Sequence, residues 1–314
     1  MALQAILNVA FPIFGVILAG YLAGRWRILG GEATGALNAF VSYFALPVLF
    51  FGTLARTPVA AVLDPQLMLG FGVAFVATFA LGMVVTRLVG KGGLAAMSLQ
   101  AIAASWGNVG YMGVPLCIAA FGEQGLPPAM LTVIVTAVVS MVFGVMLIEL
   151  DVAAGRGPVR TFLRAAFNVA RNPLPLSIGL GIVYSGAGLP MPVPIEKWID
   201  LLGAAAAPCA LFAIGLFLSD KSVKSGLVEA GLMTVIKLLV QPALAFVILP
   251  FFVDLNSVAG KVALLMASLP TAANAFVLAK QFDISVEQNT ATVLLSTGFS
   301  VVTVSALLVW LRVT

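Results

Sequence analysis

Apolar residues fill the chain in long, nearly continuous runs, and short polar connections separate these runs. An α-helix of about 20 apolar residues is long enough to cross a lipid bilayer. The pattern therefore predicts an all-α membrane protein with ten transmembrane helices. The predicted spans are residues 3–24, 33–55, 66–89, 93–121, 126–149, 173–188, 196–218, 227–252, 258–281 and 286–312.

Two of the predicted spans are interrupted by residues that break helices. The fourth contains Ser105–Leu116, in which three glycines, Asn108 and Pro115 interrupt an apolar run. The ninth contains Pro270 and Asn274. Non-helical backbone at membrane depth is tolerated where it lies inside protein or lines a cavity, and paired interruptions in two halves of a chain indicate a transporter binding site. We therefore expect the substrate site at these breaks.

The two interrupted helices occupy matching places in two halves of the chain. A division after the fifth span gives a first five-helix repeat at residues 1–150 and a second at 173–314. Because five is an odd number, the second half would enter the membrane from the opposite side, as in an inverted-topology repeat.

The connection between the halves, residues 151–172, predicts a short amphipathic helix on the cytoplasmic surface. Arg160, Arg164 and Arg171 share one face of that helix, and apolar residues turn away from it. We favour an anchor on anionic lipid over a regulatory role. Asn172 followed by Pro173 then opens the sixth span as an N-cap with proline at the first helical position.

The composition excludes a water-soluble protein. Of the 314 residues, 61% are hydrophobic and 9% are charged, and the formal net charge is +4. The basic residues fall in loops, where they set the orientation of the helices, so the expected partner is the lipid bilayer and no nucleic acid is expected.

Basic residues are unevenly divided between the two sides of the predicted membrane. One side holds Arg25, Arg27, Arg87, Lys91, Arg156, Arg160, Arg164, Arg171, Lys221, Lys224 and Lys280, and the other holds Arg56, Lys197, Lys261 and Arg312. Cytoplasmic loops carry the excess of Lys and Arg. Both termini are therefore predicted to lie outside the cytoplasm.

The residue types present argue against an enzyme. Histidine is absent, which removes Ser–His and Cys–His nucleophile pairs and histidine-ligated metal sites. Cys117 and Cys209 both lie in apolar runs, so we interpret them as small core residues without a disulfide. No cofactor and no metal are expected.

The helix breaks supply the candidate substrate-binding residues. Helix N-termini at a break carry unpaired backbone N–H groups and attract anions. Asn108 and Asn274 are candidates to donate amide hydrogen bonds to a carboxylate, although each could instead satisfy a freed backbone group. Pro115 and Pro270 are predicted to open the breaks. Further candidates for the site are Gly107, Gly110, Thr271 and, on the second span, Tyr43, Leu46 and Phe50. Close helix packing is the alternative explanation for the glycines and for the second-span residues.

Lys237 is the only basic residue placed deep inside a predicted span, and Gln241 follows it one helical turn later. A buried ammonium is costly, so a partner or a function is expected, and the Gln241 carbonyl is a suitable acceptor. No Asp or Glu lies at comparable depth. We favour a fixed positive charge where a related symporter holds sodium, over direct contact with an anionic substrate or a purely structural role. Proton coupling would require Lys237 itself to titrate.

A set of short motifs occurs in order along almost the whole chain. They are Phe11–Phe14 with Gly20-Tyr21, Leu37-Asn38, Leu46-Pro47, Gly107-Asn108, Met112–Leu116, Asn172-Pro173, Lys237, Gln241-Pro242, Leu269-Pro270 and Phe276–Phe282. With these motifs the sequence resembles the auxin efflux carrier family, which includes bacterial malonate permeases and the PIN-type plant auxin exporters. The plant proteins insert a long hydrophilic loop between the halves, whereas this chain has a short connection.

The resemblance implies a scaffold domain and a transport domain, with broken helices four and nine crossing at the bilayer midplane. It also implies transport of a small organic anion, such as a mono- or dicarboxylate, by an elevator movement. We expect a secondary transporter in the bacterial cytoplasmic (inner) membrane, and a homodimer is among the expected partners. A cation–proton antiporter of similar architecture is the alternative. That function would need a carboxylate at the crossing, and the sequence has none there.

Overall fold

The computed structural model describes residues 6–59, 64–89, 92–152, 171, 173–221 and 225–313. The predicted amphipathic helix around Arg160 and Arg164, and the predicted cap at Asn172, lie outside these residues. All regular secondary structure in the described part is helical. The helical segments are α1 (Asn8–Arg25), α2 (Gly31–Ala55), α3 (Pro65–Val89), α4 (Leu94–Ser105), α5 (109–121), α6 (126–152), α7 (Pro173–Gly186), α8 (Val193–Ser219), α9 (Leu227–Phe251), α10 (Val258–Ala267), α11 (Ala273–Phe282) and α12 (Val286–Trp310).

Seven helices in the described part are long and apolar enough to cross a membrane. They are α1, α2, α3, the helical stretch Val109–Val152 that contains α5 and α6, α8, α9 and α12, while α4, α7 and α10 are apolar but shorter. A 3₁₀ turn at Gly122–Gly125, entered through a positive φ of 66° at Gly122, joins α5 to α6. The helix ends agree with the predicted spans to within a few residues where they are described. The count of ten crossings and the inverted repeat stay predictions.

Several helices contain a wider, π-helical turn directly before a proline. Five-residue π turns at Val41–Ala45, Val109–Gly113 and Ile236–Val240 are each followed by an X-Pro pair, which is Leu46-Pro47, Val114-Pro115 and Gln241-Pro242. Proline has no N–H group, and its ring collides with the carbonyl one turn earlier. A widened turn accommodates the ring without ending the helix.

The helices form two packing groups. The first packing group is α1, α2, α7 and α8, and the second is α3 to α6 with α9 to α12. Within the first group, α1 and α8 approach so closely that a Cβ added at Gly20 would lie 2.2 Å from the carbonyl oxygen of Phe212. Small residues permit such backbone contact between membrane helices. Each group draws helices from both halves of the sequence, so neither group matches one repeat.

Candidate functional site

The two breaks lie against each other and pair through their backbones. The chain is non-helical between α4 and α5 and again between α10 and α11. The Asn108 N–H donates to the Pro270 carbonyl at 2.8 Å, and the Ala272 N–H donates to the Trp106 carbonyl at 2.9 Å. These two bonds make a short antiparallel pair centred on Gly107 and Thr271. Backbone groups freed by one break are thereby satisfied by the other, which a water-poor interior requires.

Thr271 stabilises this backbone pairing and does not line the cavity described below. Its side chain is fully buried, and its hydroxyl donates to the Ala103 carbonyl at 2.7 Å. Its backbone N–H donates to the Ser296 hydroxyl at 3.0 Å. Thr271 is predicted to bind substrate, but it is absent from the cavity lining, and its hydroxyl and its backbone N–H are both bonded within the protein, so the structure gives it a positioning role.

A cavity of about 370 Å³ lies beside the paired breaks. It is lined by Asn38, Ser42, Trp106, Gly107, Asn108, Val109, Gly110, Tyr111, Val133, Ala137, Leu174, Pro175, Ala213, Ile214, Phe217, Ala272, Ala273, Asn274 and Val277. Residues of α2, α7 and α8 form one wall, and the breaks with α5, α6 and α11 form the other. The cavity therefore lies between the two packing groups, at the small end of the size range of small-molecule sites.

The electrostatics of the cavity come from backbone dipoles. Helices α5 and α11 both begin at its wall, with Val109 and Gly110 on one side and Ala273 and Asn274 on the other. The first N–H groups of a helix have no intrahelical partner and carry partial positive charge. Among the described residues, the lining contains no Lys, Arg, Asp or Glu side chain. The cavity is suited to an anion held by helix N-termini and neutral amides.

Asn108 and Asn274 each place a side-chain amide at one of these N-termini. Both residues line the cavity. Asn108 precedes the first turn of α5, yet its side chain makes no capping hydrogen bond. Within the described part of the chain neither amide side chain has a protein partner. Both amides are therefore free to bind a ligand, and the capping alternative for Asn108 has no support in the structure.

The three glycines of Ser105–Leu116, one in the first break and two in the first turns of α5, have different surroundings. A Cβ added at Gly107 would lie 3.3 Å from the Lys237 Nζ atom. One added at Gly113 would lie 2.5 Å from the Met266 sulfur, whereas one at Gly110 would meet nothing within 4 Å. Gly107 and Gly113 therefore serve close packing, and Gly110 leaves open space in the cavity wall.

The two prolines predicted to open the breaks lie in different places. Pro270 lies inside the second break, where its carbonyl accepts the Asn108 hydrogen bond. Pro115 lies within the α-helical part of α5, after the π turn Val109–Gly113. It does not open the first break, because the helix already begins at Val109. Its ring widens the preceding turn.

The residues of α2 that line the cavity differ from those predicted. Tyr43 is 65% exposed on the outer surface, and Leu46 and Phe50 are fully buried among other apolar side chains, away from the cavity lining. The lining residues of α2 are Asn38 and Ser42, one helical turn apart.

Tyr111 links the two walls of the cavity and was not predicted. The Tyr111 hydroxyl lies 2.6 Å from the Ser42 hydroxyl and also donates to the Asn38 carbonyl at 3.3 Å. The Tyr111 hydroxyl, in a largely apolar segment, is the sequence feature that could have pointed to this residue. The prediction favours the residues around Pro47 instead.

Nearly the whole sequence matches the pattern of one family. The pattern described as "Membrane transport protein" matches residues 5–157 and 159–309. The chain belongs to the membrane transport protein family. It is therefore a multi-pass membrane transporter and not a membrane-embedded enzyme.

Relatives of this transporter match over nearly their full length. A protein of Rhizobium meliloti (strain 1021) named "Putative malonate transporter" is 34% identical over 308 residues, which cover 98% of this chain and 96% of that protein. The "Uncharacterized transporter YfdV" of Escherichia coli (strain K12) is 25% identical over 295 residues, 92% of this chain and 93% of that protein. Auxin efflux carrier component 8 of Arabidopsis thaliana is 22% identical over 334 residues, 90% of each chain. The resemblance to auxin efflux carriers is confirmed.

Behind the cavity wall, this membrane transporter holds a buried polar network around Lys237. Lys237 is fully buried, and its ammonium donates to the Gln241 Oε1 atom, the bond that the sequence predicts. It also donates to the Ala267 carbonyl at 2.9 Å. The Gln241 Nε2 atom donates to the Ser105 carbonyl at 3.0 Å. Lys237 is not part of the cavity lining, so direct contact with a substrate there is not supported.

Proposed function

We propose that this protein is a secondary transporter of small organic anions that bind at the paired breaks. One observation carries the proposal. Helices α5 and α11 both begin at the wall of one cavity, and each brings an unpaired asparagine amide, Asn108 or Asn274. Helix N-termini with free amides bind carboxylates through hydrogen bonds and the helix dipole.

The arrangement favours a short dicarboxylate. Two N-termini at one small cavity offer one anion site each, so a molecule with two carboxylates a few bonds apart would engage both. The cavity volume of about 370 Å³ suits a small solute. The name of the Rhizobium meliloti relative, "Putative malonate transporter", agrees with this substrate class.

An elevator movement is the mechanism that the packing favours. The cavity lies between the two packing groups, and the breaks belong entirely to the second group. If the second group slides against the first, it carries the bound anion with it. The Tyr111 bonds to Ser42 and to the Asn38 carbonyl cross between the groups. These bonds would have to exchange partners during the movement.

The proposed setting is a homodimer in the bacterial inner membrane, with both termini outside the cytoplasm. Charge pairs support the placement of the end of α2 and the start of α8 on the same side of the membrane. Arg56 at the end of α2 bonds to Asp200 at 2.7 Å and lies 3.5 Å from Glu196, both near the start of α8. These two ends therefore lie on the same side, as the charge pattern of the loops predicts.

A cation–proton antiporter is the less favoured function. Exchange of protons or metal cations at the crossing needs a carboxylate there. The lining contributed by the described residues has none.

Uptake into proteoliposomes tests the proposal. Radiolabelled malonate would be supplied outside, and acetate, succinate and citrate would be tested as competitors. We expect malonate uptake above that of empty liposomes, strong competition by short dicarboxylates and weak competition by citrate, because its third carboxylate has no helix N-terminus to bind. Proton-driven uptake of sodium or potassium without any malonate uptake would instead support the antiporter.

A further inference from the structure

The Lys237 ammonium lies where two half-helices end. Helix α4 ends at Ser105 and α10 ends at Ala267, on the opposite side of the breaks from the N-termini that line the cavity. The last carbonyl groups of a helix lack intrahelical partners and carry partial negative charge. Lys237 donates to the Ala267 carbonyl, and Gln241 connects it to the Ser105 carbonyl. One cation thereby neutralises the ends of both half-helices.

No acidic side chain among the described residues pairs with this cation. In the part of the chain that is described, both salt bridges involve Arg56. The Lys237 ammonium instead donates to oxygen atoms of amide groups, namely Gln241 Oε1 and the Ala267 carbonyl, and the Met266 carbonyl lies on the same side of Gly107 as the ammonium. Neutral carbonyl oxygens at the ends of broken helices are the ligands that transporters use for sodium.

Gly107 separates this cation from the substrate cavity. It lines the cavity, and a Cβ added to it would lie 3.3 Å from the Lys237 Nζ atom and 3.3 Å from the Met266 carbonyl oxygen. A single glycine backbone therefore stands between the ammonium and the proposed anion. The lysine acts on the cavity through the backbone that it holds and through its charge, without touching the ligand.

We propose that Lys237 is a built-in cation that holds the two breaks together and takes the place of a coupling sodium ion. Lys237 and Gln241 are then positioning residues, and transport does not require sodium. Replacing Lys237 by a residue with a short side chain removes the ammonium. The Gln241 and Ala267 oxygens then face an empty space of cation size. The variant Lys237→Ser is expected to bind sodium there.

Thermal unfolding tests the inference without any substrate. Purified wild type, Lys237→Ser and the exposed-lysine control Lys197→Ser would be melted in sodium chloride and in choline chloride of equal ionic strength. We expect wild type and Lys197→Ser to melt at the same temperature in both salts. Lys237→Ser should melt at a lower temperature in choline, and sodium should raise that temperature. Equal melting of Lys237→Ser in the two salts would overturn the inference, whether or not malonate is the substrate.

Malonate uptake is the second measurement, and its interpretation rests on the proposed function. In choline, malonate uptake by Lys237→Ser should fall about 10- to 150-fold, the loss expected for a charge-assisted hydrogen bond, and sodium should restore part of it. Lys237→Met nearly keeps the side-chain length and leaves no space for an ion, so it should fold and lose uptake in every salt. Normal uptake by Lys237→Met, or a sodium requirement in the wild type, would contradict a built-in cation.

Discussion

The side chain and the backbone of Asn108 have separate roles. Its backbone N–H donates to the Pro270 carbonyl in the second break, whereas the residue lines the cavity and its side-chain amide has no partner among the described residues. A substitution that removes only the amide therefore leaves the pairing of the breaks intact. Binding and folding can be measured apart at this residue.

Asn108→Ala should weaken substrate binding and leave stability unchanged. Loss of one hydrogen bond to a carboxylate costs about 1.5–3 kcal/mol, which raises the dissociation constant for malonate about 10- to 150-fold. The melting temperature without ligand should match that of the wild type, as should the melting temperature of the exposed control Asn256→Ala. If malonate stabilises Asn108→Ala as strongly as it stabilises the wild type, Asn108 does not bind substrate.

At the scale of helices, the second break depends on a rigid residue that cannot donate a hydrogen bond. Pro270 lies in the non-helical segment between α10 and α11, where its ring fixes φ and its nitrogen has no N–H to donate. Pro270→Ala allows the helix to continue through the break, which competes with the bonds between Asn108 and Pro270 and between Ala272 and Trp106.

We expect Pro270→Ala to lose both stability and transport. Greater freedom of the unfolded chain alone costs about 0.4–1 kcal/mol, and a poorly formed break should lower malonate uptake further. The measurements are the melting temperature and the uptake rate at equal amounts of protein. Unchanged uptake together with a lower melting temperature would show that Pro270 contributes stability alone.

The contact between α1 and α8 has no room for a side chain at Gly215. A Cβ added at Gly215 would lie 2.0 Å from the Ile17 carbonyl oxygen and 2.5 Å from the Tyr21 nitrogen. Gly215→Leu should therefore push the helices apart and lower stability, by about 1–3 kcal/mol if the cost matches that of overpacked cores. Gly179→Leu in α7 is the matched control, because nothing lies within 4 Å of a Cβ there. Equal melting temperatures for the two variants would show that the contact tolerates expansion.

At the scale of the whole molecule, orientation follows from the loops, and single cysteines test it. Arg27 and Lys197 are exposed, and the charge pattern places them on opposite sides of the membrane. In a background without Cys117 and Cys209, Lys197→Cys should react with a membrane-impermeant maleimide in spheroplasts with an intact inner membrane. Arg27→Cys should react only after that membrane is permeabilised. Reaction of both from the outside would rule out the proposed topology.

The positions of the helices and of their interruptions could be predicted from the order of residues. Apolar runs have a minimum length in a bilayer, and glycine, asparagine and proline break them in recognisable ways. Lys237 could be singled out for a similar reason, because a charge inside an apolar run always needs a partner. Gln241 could be named as that partner because it lies one helical turn away.

Tertiary structure alone decided which face of each helix meets the cavity. Lipid tails are as apolar as a protein core, so hydrophobicity does not distinguish a residue facing the membrane from one facing another helix. Tyr43 and Phe50 looked equivalent in sequence, yet the first is 65% exposed and the second is fully buried. Asn38 and Ser42 line the cavity, where Tyr111 from a distant part of the chain bonds to both of them. Likewise, the pairing of Asn108 with Pro270 joins residues more than half the chain apart, and no local pattern specifies that contact.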